Sequence, residues 1–213
     1  MLKTRNWLLQ GIAAAGALLW ACLPASAHPH VWVTAEATLL YENGAFVGIA
    51  HKWTFDEYYT TMAIEGLDKN KDGKYDRSEL AELAKVNIDA LKDFDYFTFP
   101  ALTGQAVKLA EPRDYWLEHK DGALSLFFTV PFASPVLTDA KAFTFAIYDP
   151  SYFIAFDLAK TEHPVRLGPG APKTCSLKID VPGQRETAAL GAMSQLGGVV
   201  SLGKTIAVEC GVP

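Results

Sequence analysis

Cysteine is scarce in this chain, with 3 among 213 residues, and no two of them form a Cys-x-x-Cys pair. The missing pair argues against a metal site built on cysteine. Basic residues are also outnumbered, 19 against 24 acidic ones, for a formal net charge of −5. A surface of that sign suits cations and does not suit nucleic acid as a partner. No internal repeat or domain linker is evident, so the chain is expected to form one domain.

The amino terminus has the features of an export signal. Lys3 and Arg5 precede an apolar run at 7–23, and the small-residue sequence Ala-Ser-Ala follows at 25–27. Signal peptidase cleaves after sequences of this kind. We therefore expect residues 1–27 to be a signal peptide, removed after Ala27, and the protein to be periplasmic. Lipidation at Cys22, in a loose lipobox, is the alternative.

The expected mature chain runs over residues 28–213. Loss of Lys3 and Arg5 leaves 17 basic and 24 acidic residues, a formal net charge of −7. Cys175 and Cys210 are the two cysteines that remain. Two cysteines in an oxidising compartment favour a disulfide, with two free buried thiols as the alternative.

Short strand-like segments separated by Gly and Pro predict a mainly β fold. Asn43-Gly44 predicts a hairpin between strands at 30–40 and 45–55. Helical patterns at about 56–67 and from about 80 to 94 predict an EF-hand-like helix-loop-helix inserted at about 56–94. The predicted fold class is α+β overall: mainly sandwich-like antiparallel sheets that carry this inserted helix-loop-helix. Later strands are predicted at 96–100, 106–109, 114–118, 124–130, 143–148, 152–158, 175–181 and 205–210; no element is assigned to 186–202.

The twelve residues from Asp68 to Glu79 match the calcium-loop template position by position. Side-chain oxygens are predicted at positions 1, 3, 5, 9 and 12, a backbone carbonyl at position 7, and Gly73 at the sharp turn of position 6. A hard cation needs many oxygen ligands, and the same carboxylates would repel one another without it. The sequence therefore predicts a Ca²⁺ site with a bracing role. Its ligands are Asp68, Asn70, Asp72, Lys74, Asp76 and Glu79.

Histidines at three positions are candidate ligands for a transition metal. A free amine at His28, beside its imidazole, suits copper or nickel, and His30 stands two residues on. A two-residue hairpin turn places His51 opposite Glu36 on one face of the sheet. His30 would lie on the same face but six residues along the strand from Glu36, a distance of about 20 Å. The pattern therefore argues against an ion shared by His30 and His51.

Five segments follow one another in a specific order: His28–Trp32, His51–Glu57, the acidic loop, Asp93–Phe97 and Tyr148–Phe153. Together they resemble a known family, the periplasmic "domain of unknown function 1007". The resemblance spans nearly the whole mature chain. It implies a periplasmic component of an ABC-type transport system, with a nickel/cobalt-type membrane permease as partner. It strengthens His28, His30 and His51 as candidates and adds Asp149.

We therefore expect an accessory or binding protein for a divalent transition metal (nickel, cobalt, zinc or copper), with a structural calcium site and no enzymatic activity. A structural or interaction module with calcium as its only ion is the second hypothesis. A copper enzyme with a histidine brace, completed by His119 or His163, is the third. No nucleotide is expected: residues 198–205 match a phosphate loop, but a strand and not a helix is predicted to follow.

Overall fold

The computed structural model describes residues 29–180 and 204–211. The predicted signal peptide, Cys22, His28 and segment 186–202 lie outside these ranges. Within these ranges there are eleven strands: β1 Val31–Glu42, β2 Ala45–Phe55, β3 Thr98–Leu102, β4 Gln105–Ala106, β5 Arg113–Lys120, β6 Ala123–Leu137, β7 Phe143–Ile147, β8 Ile154–Leu158, β9 Val165–Leu167, β10 Cys175–Asp180 and β11 Thr205–Cys210. The predicted mainly β class is confirmed.

Two sheets make up the body of the molecule. A six-stranded sheet has the order β5-β6-β2-β1-β8, with β9 also paired to β1, and a five-stranded sheet has the order β10-β11-β7-β3-β4. The larger sheet is mixed, because β8 and β9 run parallel to β1. The predicted antiparallel pairing holds throughout the smaller sheet but not for these two strands, because periodicity marks a strand without specifying its partner. β9 was not predicted.

Two α-helices lie between β2 and β3: α1 at Glu57–Ala63 and α2 at Arg77–Leu91. α1 is shorter than the predicted 56–67, whereas α2 has the predicted length but begins and ends about three residues earlier than the predicted 80–94. The second ends before Phe94 because a turn follows in which Asp95, Tyr96 and Phe97 have φ values of 50°, 52° and 46°. Three consecutive left-handed residues cannot continue a right-handed helix. No helix in the described ranges has the length and apolarity needed to cross a membrane.

The predicted β1–β2 hairpin is confirmed, and its turn residues have the φ values of a type I′ turn. Asn43 has a φ of 48° and Gly44 a φ of 87°. Near the turn the register agrees with the prediction, with Glu42 opposite Ala45 and Tyr41 opposite Phe46. Such turns match the twist of the flanking strands.

A one-residue bulge at Val47 shifts the rest of the hairpin. Beyond it, Glu36 pairs with Lys52 and His51 pairs with Ala37. The predicted Glu36–His51 pair was therefore wrong. An extra residue in one strand moves every later side chain to the other face, so His51 points into the core. Glu36 forms a partly exposed ion pair with Lys52 instead, at 2.9 Å.

The core fills the space between the sheets. Large buried rings of both layers fill it, including Trp53 and Phe128 of the larger sheet and Phe143 and Phe145 of the smaller one. Phe46 of β2 stacks on Phe143 of β7 across this space. Burial of apolar area on this scale is the main stabilising contribution to such a fold. α2 lies against β5 and adds Leu80, Ala84 and Ile88 to the same core.

The predicted disulfide is confirmed. Cys175 and Cys210 are directly opposed at one end of the β10–β11 ladder and are bonded to each other. The bond ties the edge strand β10 to its only neighbour within the described sheet. A cross-link of this kind stabilises a fold by restricting the unfolded chain.

Gly48 is required where β2 passes β6. A Cβ at this position would lie 2.6 Å from the carbonyl oxygen of Val130 and 2.8 Å from Cα of Pro131. We predict that Gly48→Ala lowers the free energy of unfolding by about 2 kcal/mol, because backbone and not a flexible side chain must shift. Urea denaturation measures the change. Gly211→Ala is the control, since its Cβ would meet nothing nearer than 3.7 Å; an equal loss in both variants would contradict the prediction.

Candidate functional site

The acidic loop connects α1 to α2 and is folded around its own carboxylates. Asp68, at its first position, accepts hydrogen bonds from the backbone N–H groups of Asp72 (3.2 Å) and Gly73 (3.0 Å). Gly73 has a φ of 76°, a conformation that glycine adopts without strain. The tight turn expected at position 6 is therefore present.

Asp76 begins α2 as its N-cap. Its Oδ1 accepts hydrogen bonds from the N–H groups of Ser78 (2.7 Å) and Glu79 (3.0 Å). The Ser78 hydroxyl bond and these backbone bonds keep the pKa of Asp76 below its ordinary value. The Glu79 side chain accepts a bond from the backbone N–H of Asp76, which completes a capping box. The carboxylate at position 9 therefore starts the helix in this structure.

Glu79 joins the two ends of the loop. Although glutamate is usually exposed, this side chain is only 6% exposed. Its Oε1 accepts bonds from the N–H groups of Lys69 (2.9 Å) and Asn70 (3.3 Å), and its Oε2 accepts one from Asp76 (3.1 Å). The residue at position 12 is therefore folded back over the start of the loop.

The loop carboxylates do not meet at one point. Within 29–180 and 204–211, no three or more His, Cys, Asp or Glu side chains form a group that could hold a metal ion. Asn70 and Asp72 direct their side-chain oxygens at backbone N–H groups, those of Asp72 and Lys74 respectively, both at 2.8 Å. Calcium binding thus stays a prediction from the sequence pattern.

Aromatic contacts hold the loop against the larger sheet. The ring of Tyr75 meets that of His119 on β5 edge-on, with centroids 5.0 Å apart. The guanidinium of Arg77 lies 4.5 Å from the ring centroid of Trp116, which stacks on Phe127 of β6. A cation over an indole face is an attractive contact. These contacts therefore fix the carboxyl-terminal end of the loop and the start of α2 against the larger sheet.

His51 is a core residue. It is 3% exposed, and its ring stacks on Phe128 with centroids 4.7 Å apart. Burial lowers its pKa from 6.5 to about 3, so it is neutral at ordinary pH. His30 is exposed at the start of β1, with its ring 4.9 Å from that of Phe153. The structure thus buries one of these two candidate ligands and leaves the other exposed.

The hydrogen bonds around His51 identify its tautomer. The Thr98 hydroxyl has a single proton, which it donates to the carbonyl oxygen of Tyr96 at 2.8 Å. The contact of 3.2 Å between Thr98 Oγ1 and His51 Nε2 therefore needs a proton on Nε2. The Nδ1 atom is left buried, with no hydrogen-bond partner among the described residues.

Asp149, added by resemblance as a candidate, has a local structural role. It is buried, and its carboxylate accepts bonds from the N–H groups of Ser151 (2.7 Å) and Ile154 (2.8 Å). Its position before a proline in a turn is a signal that sequence reasoning could have used for this role. No comparable signal pointed to Thr98, whose importance arises from strand pairing.

His119 packs on Tyr75, and His163 is exposed beside Glu162.

These features define a class: a two-sheet, mainly β protein that carries an acidic, helix-flanked loop between its second and third strands. The chain belongs to the family described as "Protein of unknown function (DUF1007)", whose model matches residues 13–196. The resemblance noted from the sequence motifs is thereby confirmed at the level of the family.

Two curated relatives are similar to parts of this chain. An "Uncharacterized protein" of Haemophilus influenzae is 28% identical over 133 residues, which cover 62% of this chain and 64% of the relative. An "Uncharacterized 15.5 kDa protein in trpE 3'region" of Spirochaeta aurantia is 33% identical over 87 residues, or 40% of this chain and 61% of the relative. The chain therefore spans somewhat less than two thirds of each relative.

The buried His51 predicts a specific loss of stability in acid. Its pKa is 6.5 when unfolded and about 3 when folded, so the unfolded state binds more protons between these values. Stability is therefore retained above pH 6.5 and falls as the pH drops toward 3, by up to about 5 kcal/mol from this group. Urea denaturation at a series of pH values measures the slope.

We predict that His51→Phe or His51→Leu reduces this loss of stability between pH 6.5 and about 3, because neither side chain can take up a proton. His163→Phe, at an exposed position, is the matched control and should keep the wild-type slope. If stability falls as steeply with pH in both His51 variants as in the wild type, other groups cause the loss of stability in acid.

Proposed function

We propose that the protein is a non-catalytic calcium-binding module. The observation that carries the proposal is the position of Glu79, buried and folded back over the first residues of a loop whose sequence fits the calcium template at each ligand position. A bidentate glutamate at position 12 is the ligand that closes such loops around the ion. The proposed ligands are Asp68, Asn70, Asp72, Asp76 and Glu79, with the backbone carbonyl of Lys74.

Electrostatics explains why an ion would stabilise this loop. Four carboxylates within twelve residues repel one another, and backbone N–H groups offset that repulsion only in part. A dication would let Asp68, Asp72, Asp76 and Glu79 turn their oxygens inward to a common centre. The dissociation constant expected for a single site of this extracellular kind is about 10⁻⁴–10⁻³ M, which suits bracing more than signalling.

The proposed role of the ion is to hold the helical insertion on the sheet. Arg77 follows the loop ligand Asp76 directly and lies over Trp116. Tyr75 precedes that ligand and lies on His119. Ordering of the loop would therefore be transmitted to both contacts, and the indole of Trp116 would report it.

Calcium titration of the purified protein tests the proposal. Calorimetry should give a dissociation constant of about 10⁻⁴–10⁻³ M, with a parallel change in Trp116 fluorescence that is lost in Trp116→Phe. Glu79→Gln should weaken binding at least about tenfold, because it removes one charged, bidentate ligand. The amide can still cap α2, so the helix start is preserved.

Glu82→Gln is the matched control, since Glu82 lies exposed on the same helix outside the twelve-residue loop. Binding should be unchanged in this variant. No heat of binding with 10 mM calcium, or an equal loss in the two glutamate variants, would rule out the site.

A second proposal is that the protein handles transition metals as an exported accessory of a membrane permease. The observation in its favour is that His30 is exposed at the first residues of the fold, two positions after His28. An amine and one or two imidazoles are suitable ligands for nickel, cobalt, copper or zinc. The buried, neutral His51 is not accessible to an ion in this arrangement, which restricts the proposed site to the amino-terminal segment.

Metal titration of protein beginning at His28 tests this second role. Replacement of His28 and His30 by alanine should weaken binding of at least one of the four ions by about tenfold or more, because imidazoles are the principal ligands proposed. His163→Ala is the control. Equal binding by the wild type and the double variant would exclude a site in this segment.

A further inference from the structure

Exposed aromatic side chains gather at one end of the sandwich. We call this surface the aromatic end and define it by Tyr58, Phe94, Tyr152 and Phe153 together with Trp32 and His30. It includes the start of β1, the start of α1, the turn before β3 and the β7–β8 connection. These segments are far apart in sequence and come together only through the strand pairing.

Backbone hydrogen bonds fasten this end together. The N–H of Trp32 donates to the carboxylate of Asp56 at 2.8 Å, and the same carboxylate caps α1. The N–H of His30 donates to the carbonyl oxygen of Phe153 at 2.9 Å. The Phe97 carbonyl accepts from the N–H of Tyr148 at 3.2 Å, which joins the turn before β3 to the β7–β8 connection.

Rigid, exposed aromatic rings are unusual on a surface that has no partner. Trp32 is 53% exposed and Phe153 is 54% exposed, yet the backbone of each is held by the bonds just described. Single exposed apolar residues are common and need no explanation, whereas several at one end of a molecule mark an interaction surface. Large rings on a fixed backbone lose little entropy on binding, which is why tryptophan and tyrosine are enriched at interface hot spots.

The charges at this end specify the kind of partner. Glu57 precedes Tyr58, and Asp93 and Asp95 flank Phe94; all three carboxylates belong to exposed residues. Two nearby basic side chains already form ion pairs, Lys92 with Glu111 and Lys204 with Asp157. The aromatic end therefore has an acidic border, which is complemented by a partner with basic residues.

We propose that the aromatic end is a docking surface for another protein, one that presents apolar side chains surrounded by Lys or Arg. A bilayer fits less well, because insertion of Phe94 and Tyr58 would bring their neighbouring carboxylates against anionic headgroups. A second copy of the same end fits less well too, because it would set like charges against each other. The surface shares no residue with the acidic loop.

Selection from a displayed library of random twelve-residue peptides tests the proposal on the full processed protein. The enriched peptides should combine apolar or aromatic residues with Lys or Arg. Affinity for a selected peptide should fall at least about tenfold in Trp32→Ser and in Phe153→Ser, as expected for hot-spot residues. It should fall in Glu57→Lys and Asp93→Lys, and with rising salt, because the charges are exposed.

Val86→Ser is the matched control, since Val86 is a similarly exposed apolar residue (57%) on α2. It should leave peptide affinity unchanged. The proposal is overturned by peptides without basic residues, by loss of affinity in the Val86 variant but not in the Trp32 variant, or by binding to phosphatidylcholine vesicles in place of peptides. Protection of Trp32 from oxidative labelling in the isolated chain would also overturn it, because the chain itself would then cover the surface.

Discussion

The register of β2 is the constraint on which the rest of the structure depends. β2 lies between β1 and β6 in the larger sheet, and the extra residue at Val47 determines which of its side chains face the core. Beyond that bulge, His51 and Trp53 point inward and meet Phe128. A slip of one residue would expose these rings and bury Lys52, so the hydrophobic effect selects one register strongly.

The same pairing assembles the surfaces from which function is inferred. Because β2 ends at Phe55, α1 begins beside the start of β1, where Asp56 binds both Trp32 and the first turn of the helix. The acidic loop then lies next to β5, where Tyr75 and Arg77 meet the sheet. The larger sheet therefore positions both the loop and the aromatic end, although the two surfaces consist of different residues.

Much of the fold could be predicted from local pattern, and the site less well. The Asn43-Gly44 turn and most strand positions follow from short-range preferences, and the Cys175–Cys210 pair was predicted from the oxidising compartment that the export signal leads us to expect. The parallel placement of β8 and β9 could not be predicted, because strand periodicity does not encode the neighbour. The role of His51 was also misassigned, since the bulge that buries it has no clear sequence signal.

By itself, the sequence determined the β-rich class, the hairpin turn, the presence and order of the loop residues from Asp68 to Glu79, and the family resemblance. These depend on interactions between residues close in the chain. Only the tertiary structure decided that His51 is a neutral core residue, that Glu79 is buried, and that Trp32 and Phe153 share one exposed end. The physical reason is that burial and juxtaposition depend on long-range strand register, which single-chain periodicity does not specify.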